Sequence, residues 1–173
     1  MSSYRGQWIP GDERGFRSRG HRVHSTGNYH DKPPETEHAG LRRWARTIMA
    51  EPVTLDRTLA SELVSAMIEK VEAMELRWAI VAADRVHCHA LIDVAELAPK
   101  ETFGRAKQFA SFRLRSAIPG KLWGASSNPL DVRDREHFIN VINYIADHEQ
   151  HGAVVRIHAD FAPARRKTDP HRG

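Results

Sequence analysis

Residues 76–95 decide the fold, and they read LRWAIVAADRVHCHALIDVA. The first part, Leu76 to Ala83, is short and apolar, and Asp84-Arg85 then forms a tight polar break. The second part, Val86 to Ala95, is again strand-like. Two such runs joined by a short polar break predict an antiparallel hairpin.

Three helices are predicted around this hairpin. Apolar residues recur at helical spacing over 55–74, with Thr54 placed to cap that helix. A proline begins the second helix, 99–118, whose exposed side is basic. The third helix runs over 135–150, with Asp134 as its N-cap.

The rest of the chain supplies shorter elements. A first strand is expected near Trp8, an irregular strand over 122–132 and an edge strand over 153–157. The segment 11–40 is rich in Gly, Pro, His and Arg and has no regular periodicity, so it predicts a long basic loop. This loop is interpreted either as a phosphate-contacting arm or as a plain solvated insertion. The basic tail, 159–173, is expected to be disordered.

Together these elements predict an α+β fold. Their order matches a ferredoxin-like, split βαβ arrangement, in which an antiparallel sheet carries its helices on one face and leaves the other face open. A length of 173 residues and a hydrophobic content of 40% fit one such domain over 1–158.

The composition limits the class of protein. No apolar run is long enough to span a membrane and residues 1–10 lack the pattern of a secretory signal, so a cytoplasmic location without a membrane partner is expected. The single cysteine, Cys88, excludes an internal disulfide and a CxxC zinc framework. A net charge of +4 fits a polyanionic partner. The candidates to bind its backbone are basic residues of the second helix: Arg105, Lys107, Arg113 and Arg115.

Candidate metal ligands lie on the second strand of the hairpin. Alternation places His87 and His89 on one face, whereas Cys88 joins apolar residues on the other. The two imidazoles are expected on the open face of the sheet, near enough to share a cation. A His-x-His pair alone is more often two ordinary polar histidines, so a metal site needs a third ligand.

The third helix supplies a candidate. Tyr144 and His148 are four residues apart and share one edge beside the apolar stripe of that helix. From there both side chains could reach the same centre as the histidine pair. The alternative is that Tyr144 covers the edge of the core and that His148 is simply solvated. The residues alone leave both interpretations open.

An ordered series of motifs resembles the HUH single-tyrosine transposases of insertion sequences and their REP-associated relatives. The series consists of His87-Cys88-His89, Lys107, Leu122-Trp123, residues 131–138 (DVRDREHF) and residues 144–148 (YIADH). The resemblance covers most of residues 41–157, and the segment 8–15 (WIPGDERG) is similar to one branch of that family.

The resemblance implies a ferredoxin-like domain that cuts and rejoins single-stranded DNA beside a hairpin through a 5′-phosphotyrosine intermediate. It assigns the nucleophile to Tyr144 and the ligands of Mg²⁺ or Mn²⁺ to His87, His89 and His148. Relatives often carry Gln or Asn at the position of the third ligand, so a histidine there favours manganese or zinc. Relatives act as monomers or as homodimers that exchange tyrosine helices, and their first strand is longer.

Other functions also fit these residues. A degenerate or domesticated relative would bind single-stranded or hairpin DNA without cleaving it, which the shortened first strand favours. A zinc hydrolase would use the same histidines and leave Tyr144 idle. A ferredoxin-like module without enzymatic activity would use none of them. Strand transfer that depends on the tyrosine separates the transposase from these alternatives.

Overall fold

The computed structural model describes residues 1, 34, 36–48, 53–124 and 129–164. The chain divides into two compact units, Met1–Tyr4 together with Val53–Gly173, and Arg5–Pro52. The strand expected near Trp8, most of the loop expected over 11–40 and the tail beyond residue 164 lie outside the described residues. None of the helices in the described ranges is both long enough and apolar enough to cross a bilayer.

The unit Arg5–Pro52 contains one described helix, α1 (Ala39–Ile48). The loop was predicted to extend to residue 40, and this end is wrong because the helix begins at Ala39. Leu41, Ala45 and Ile48 are spaced by four and three residues. That spacing is the helical signal in this part of the sequence.

The other unit is α+β, as predicted. Its strands β1 (Arg77–Ala83), β2 (Cys88–Asp93) and β3 (Val154–Ile157) form an antiparallel sheet in the order β2-β1-β3. Its helices are α2 (Arg57–Ala73), α3 (Pro99–Arg113) and α4 (Arg135–Asp147). Short 3-10 helices occupy His148–His151 and Ala159–Ala164, so the predicted tail begins later than residue 159. The split βαβ arrangement itself stays a prediction.

The predicted hairpin is confirmed. β1 and β2 pair antiparallel up to Ala83, which lies opposite Cys88. Between them, Oδ1 of Asp84 accepts hydrogen bonds from the backbone N–H groups of Val86 at 2.7 Å and His87 at 2.6 Å. An aspartate that binds the backbone ahead of it in this way closes a turn. β2 begins later than expected because this turn uses the first two residues of the predicted strand.

Helices cover both faces of β1. Val81 and Ala83 lie in one core with α2 and α3, which we call the first core. Ile80 and Ala82 lie in another with Ile142 of α4, which we call the second core. The prediction that all helices share one face is therefore wrong. The continuous apolar run of β1 gives each face side chains that must be buried, and α4 buries the second set.

The helix starts follow local capping signals. Asp56, and not Thr54 as predicted, is the N-cap of α2, since its carboxylate accepts a hydrogen bond from the N–H of Leu59 at 2.8 Å. Asp134 caps α4 as predicted and accepts from the N–H of His137 at 2.8 Å. In both helices the carboxylate satisfies a backbone donor that has no partner within the helix.

The irregular strand predicted over 122–132 is wrong. In its described part, 122–124 and 129–132, no residue belongs to one of the strands of the sheet. Leu122 and Trp123 are instead buried in the first core, and the indole N–H of Trp123 donates to the carbonyl oxygen of Lys107 at 2.9 Å. Side-chain packing anchors this connection between α3 and α4, and Trp123 adds an isolated β-bridge.

Candidate active site

β2 presents two histidines near the turn of the hairpin. His89 lies opposite Ala82, so its side chain is on the face of the second core. His87 follows the turn, and its Nδ1 lies 3.6 Å from Oδ2 of Asp84. The centroids of the two imidazoles are 6.3 Å apart. Cys88 points into the first core, as predicted, and does not join them.

α4 brings a tyrosine and a third histidine to the same face. The helix packs in the second core through Ile142 and Ile145, whereas the side chain of Tyr144 is 59% exposed. His148 follows α4 directly and begins a 3-10 helix that stops at Gly152. The predicted stop is confirmed, since Gly152 has a φ of 87°, a conformation that favours glycine.

The rings of Tyr144, His89 and His148 are in mutual edge-to-face contact. The centroids of His89 and Tyr144 are 5.8 Å apart, those of His89 and His148 are 4.7 Å apart, and those of Tyr144 and His148 are 4.9 Å apart. His87 adjoins this group through His89. The structure thus brings the predicted nucleophile and the predicted ligands into one His/Tyr cluster (His87, His89, Tyr144 and His148).

The surroundings keep His89 neutral at pH 7. Burial, followed by the proximity of His148, lowers the pKa of His89 to about 4. Burial raises the pKa of the Asp84 carboxyl, but the hydrogen bonds from Val86 and His87 outweigh it, and the resulting pKa lies below the usual value. A neutral imidazole is the form that binds a metal ion, and an ionised carboxylate nearby supports it.

The donor set fits a divalent cation in its chemistry. His87, His89 and His148 offer imidazole nitrogens, and the carboxylate of Asp84 adds the oxygen donor that Mg²⁺ and Mn²⁺ prefer. Within the part of the chain that the structure describes, no three His, Cys, Asp or Glu side chains already converge as a closed metal site. Side-chain rotation is therefore needed before these imidazoles could share one ion.

No family model, curated protein or solved structure matches this chain.

Asp84 is a further candidate site residue, which the sequence analysis interpreted only as part of the polar break. It binds two backbone N–H groups through Oδ1 and faces the imidazole of His87 with Oδ2. The local signal is its position three residues before His87. When one carboxylate oxygen of an aspartate accepts the backbone hydrogen bonds of a turn, its second oxygen can contact a side chain that follows in the sequence, here that of His87.

Two of the four predicted DNA-binding residues form ion pairs on α3. Arg105 lies 2.6 Å from Glu101, and Arg113 lies 2.6 Å from Glu69 of α2. α3 packs in the first core, whereas Tyr144 belongs to a helix that packs in the second core. These arginines are therefore on the opposite side of the sheet from the His/Tyr cluster.

The other two make cation–π contacts. Nζ of Lys107 lies 5.4 Å from the ring centre of Trp123, and burial, followed by the proximity of Lys121, lowers the pKa of Lys107. The guanidinium of Arg115, just after the end of α3, lies 4.3 Å from the ring centre of Phe112, an exposed side chain in the last turn of that helix. The structure does not gather the four basic residues at the His/Tyr cluster.

Proposed function

We propose that this chain is a metal-dependent DNA strand transferase of the transposase type, which cuts and rejoins single-stranded DNA at hairpin-flanked sites. The observation that carries the proposal is the contact of Tyr144 with two histidines, at ring distances of 5.8 Å to His89 and 4.9 Å to His148. An exposed phenol beside imidazoles can reach an external phosphodiester. A tyrosine that only covered the edge of the core would not need to contact two imidazoles.

The proposed reaction is a transesterification. The phenolic oxygen of Tyr144 attacks the scissile phosphorus, so that a Tyr–O–P bond forms and the P–O3′ bond breaks. The phenolic proton passes to solvent, the departing 3′ oxygen takes up a proton, and no water is consumed. The 5′ phosphate stays on the tyrosine, and a second 3′ hydroxyl can reverse the step and join a different strand.

The other residues of the cluster favour this attack. The ordinary pKa of a tyrosine is about 10, so nearby positive charge is needed to favour the phenolate at neutral pH. Mg²⁺ or Mn²⁺ bound by His87, His89 and His148 would supply that charge and neutralise the phosphate oxygens. The carboxylate of Asp84 would orient His87 for this role.

The proposed partner is single-stranded or hairpin DNA. Arg105, Lys107, Arg113 and Arg115 remain our candidates for contacts to its backbone, and the exposed Phe112 ring beside Arg115 offers a base a surface on which to stack. Action as a monomer or as a homodimer, and the cytoplasmic location expected from composition, remain predictions.

The test uses single-stranded oligonucleotides that carry candidate hairpins from the DNA on either side of the coding sequence, incubated with Mn²⁺ or Mg²⁺. We expect the wild type to form a protein–DNA adduct that survives a denaturing gel. Tyr144→Phe should bind the hairpin with unchanged affinity and form no adduct, because only the hydroxyl is lost. An adduct that persists in Tyr144→Phe would remove Tyr144 from the mechanism.

A second candidate function is binding of single-stranded or hairpin DNA without cleavage. It requires neither a bound metal ion nor a reaction of Tyr144. It predicts that the wild type and Tyr144→Phe bind the oligonucleotide equally and that neither forms an adduct with any divalent cation. The same gel therefore separates the two functions.

A further inference from the structure

A small pocket adjoins the His/Tyr cluster at the turn of the hairpin, and its volume is about 210 Å³. Three parts of the chain line it: the start of α2, the turn of the hairpin and the end of the 3-10 helix that begins at His148. Asp84 lines the pocket and also faces the cluster, since its Oδ2 lies 3.6 Å from Nδ1 of His87. A molecule bound in this pocket would thus be separated from the cluster by one side chain.

The backbone around this pocket is held in place from two sides. The N–H of Leu55 donates to the carbonyl oxygen of Arg85 at 2.8 Å, and Leu55 is buried in the first core. The turn itself is closed by the backbone hydrogen bonds that Asp84 accepts. The side chains of Arg57 and Arg85, which line the pocket, therefore project from fixed points of the backbone.

Arg57 and Arg85 supply the positive charge of the pocket, and both are exposed. Within the described ranges, neither guanidinium takes part in a hydrogen bond or an ion pair, whereas Arg105 and Arg113 are paired with glutamates. A guanidinium presents a planar fork of donors that matches the oxygens of a phosphate group. Two such groups, brought to one small pocket from different parts of the chain, are suited to bind a phosphate between them.

The acidic residues of the pocket already have partners. Oδ1 of Asp56 accepts from the N–H of Leu59 as the cap of α2, and the carboxylate of Asp84 binds the turn through Oδ1 and faces His87 with Oδ2. These two carboxylates offset the formal charge of the arginines, so a free phosphate ion would gain little from the pocket. A DNA strand that is also held at the His/Tyr cluster gains more, because its second contact is then intramolecular.

The position of these arginines fits a strand that is attacked by Tyr144. Arg85 precedes His87 by two residues, so their Cα atoms lie within about 7.6 Å of each other. The basic residues of α3, in contrast, lie on the opposite side of the sheet from the cluster. An attack at one phosphorus requires that the strand on either side of it is held in place, since orientation of the reacting groups supplies a large part of catalysis.

We propose that Arg57 and Arg85 bind a backbone phosphate of single-stranded DNA beside the His/Tyr cluster, next to the phosphate that Tyr144 attacks. The inference rests on the proposed function and names the residues that hold its substrate. The test uses the full chain with Tyr144→Phe as the parent, so that no strand is cut, and hairpin oligonucleotides in which one phosphate at a time is a neutral methylphosphonate. At one position this change should weaken binding to the parent about tenfold.

Removal of both guanidiniums should abolish that effect. In the parent that also carries Arg57→Ala and Arg85→Ala, the same methylphosphonate should change the affinity by less than about twofold, because the partner of the missing charge is already lost. Both arginines are exposed, so these substitutions should leave folding intact.

Arg77→Ala is the matched control and should keep the tenfold loss, because Arg77 is exposed at the far end of β1, about 20 Å along the strand from Ala83. Equal losses with and without Arg57 and Arg85 at every position would overturn this inference, and an adduct in the wild type would then leave the proposed function intact. A loss that depends on the two arginines, without an adduct in the wild type, would support this site and overturn cleavage. A chain that does not bind the oligonucleotides would overturn both.

Discussion

Nδ1 of His148 lies 2.9 Å from the carbonyl oxygen of Tyr144, one helical turn earlier. A carbonyl oxygen can only accept, so Nδ1 carries the proton and donates it, which leaves Nε2 as the nitrogen available to a metal ion. Hydrogen bonds of this kind fix the orientation of histidines that bind metals. The backbone of the predicted nucleophile thus sets the direction in which His148 can ligate.

Replacing His148 should weaken metal binding. We expect His148→Ala to lower the affinity for Mn²⁺ by at least about tenfold, as measured by isothermal titration calorimetry, because a ligand is lost. His151→Ala is the matched control, since His151 is exposed in the same 3-10 helix and lies outside the His/Tyr cluster. Equal affinities for the two variants would contradict the assignment of the third ligand.

The burial of α4 against the second face of the sheet predicts a large loss of stability for Ile142→Ala. Ile142 is fully buried in the second core, so the change should lower the free energy of unfolding by about 2–5 kcal/mol in urea denaturation. Leu130→Ala, at an exposed position, should change it by less than about 0.5 kcal/mol. A small effect of Ile142→Ala would mean that α4 does not pack on this face.

The cap of α2 can be tested with a pair of neighbouring substitutions. Asp56→Ala removes the acceptor of the Leu59 N–H and should cost about 1 kcal/mol of stability. Thr54→Ala should cost much less, because α2 begins after Asp56 and Thr54 does not cap it. Thermal unfolding of the two variants decides between them, and a larger loss for Thr54→Ala would restore the prediction made from sequence.

Two glycines should respond to alanine in opposite directions. Gly104 lies inside α3 and has open space around an added Cβ, so Gly104→Ala should stabilise the protein by about 0.5–1 kcal/mol. Gly152 has a positive φ of 87°, so Gly152→Ala should destabilise it by about 1 kcal/mol although no atom would clash. Denaturant midpoints that shift in the same direction would contradict this account of the end of the 3-10 helix.

Local signals in the sequence were sufficient for the hairpin and for the starts of α3 and α4, whereas α3 ends at Arg113 and not at residue 118 as predicted. The polar break at Asp84, the cap at Asp134 and the stop at Gly152 act within a few residues, so their effects can be predicted without the fold. Thr54 was chosen in place of Asp56 because both are good caps and only the position of the first turn separates them. That position depends on which apolar residues the sheet buries.

The arrangement of the site depended on tertiary packing. Alternation correctly separated Cys88 from the two histidines, but it could not show that α4 covers the histidine face. Two features of the sequence indicated a second core. Leu91 is an apolar residue on the histidine face of β2, and the neighbouring strand β1 has apolar side chains on both of its faces. The contact between Tyr144 and His89 follows from the way α4 crosses β2, which no spacing within either element determines.

The central claim is that Tyr144 is the residue that becomes joined to DNA, and peptide mapping tests it most directly. The chain has three tyrosines, Tyr4, Tyr29 and Tyr144, so the alternatives are few. After the adduct is trimmed with nuclease and digested with trypsin, mass spectrometry should find the nucleotide phosphate on the peptide that contains Tyr144. A nucleotide phosphate on Tyr4, on Tyr29 or on any residue other than Tyr144 would contradict the account.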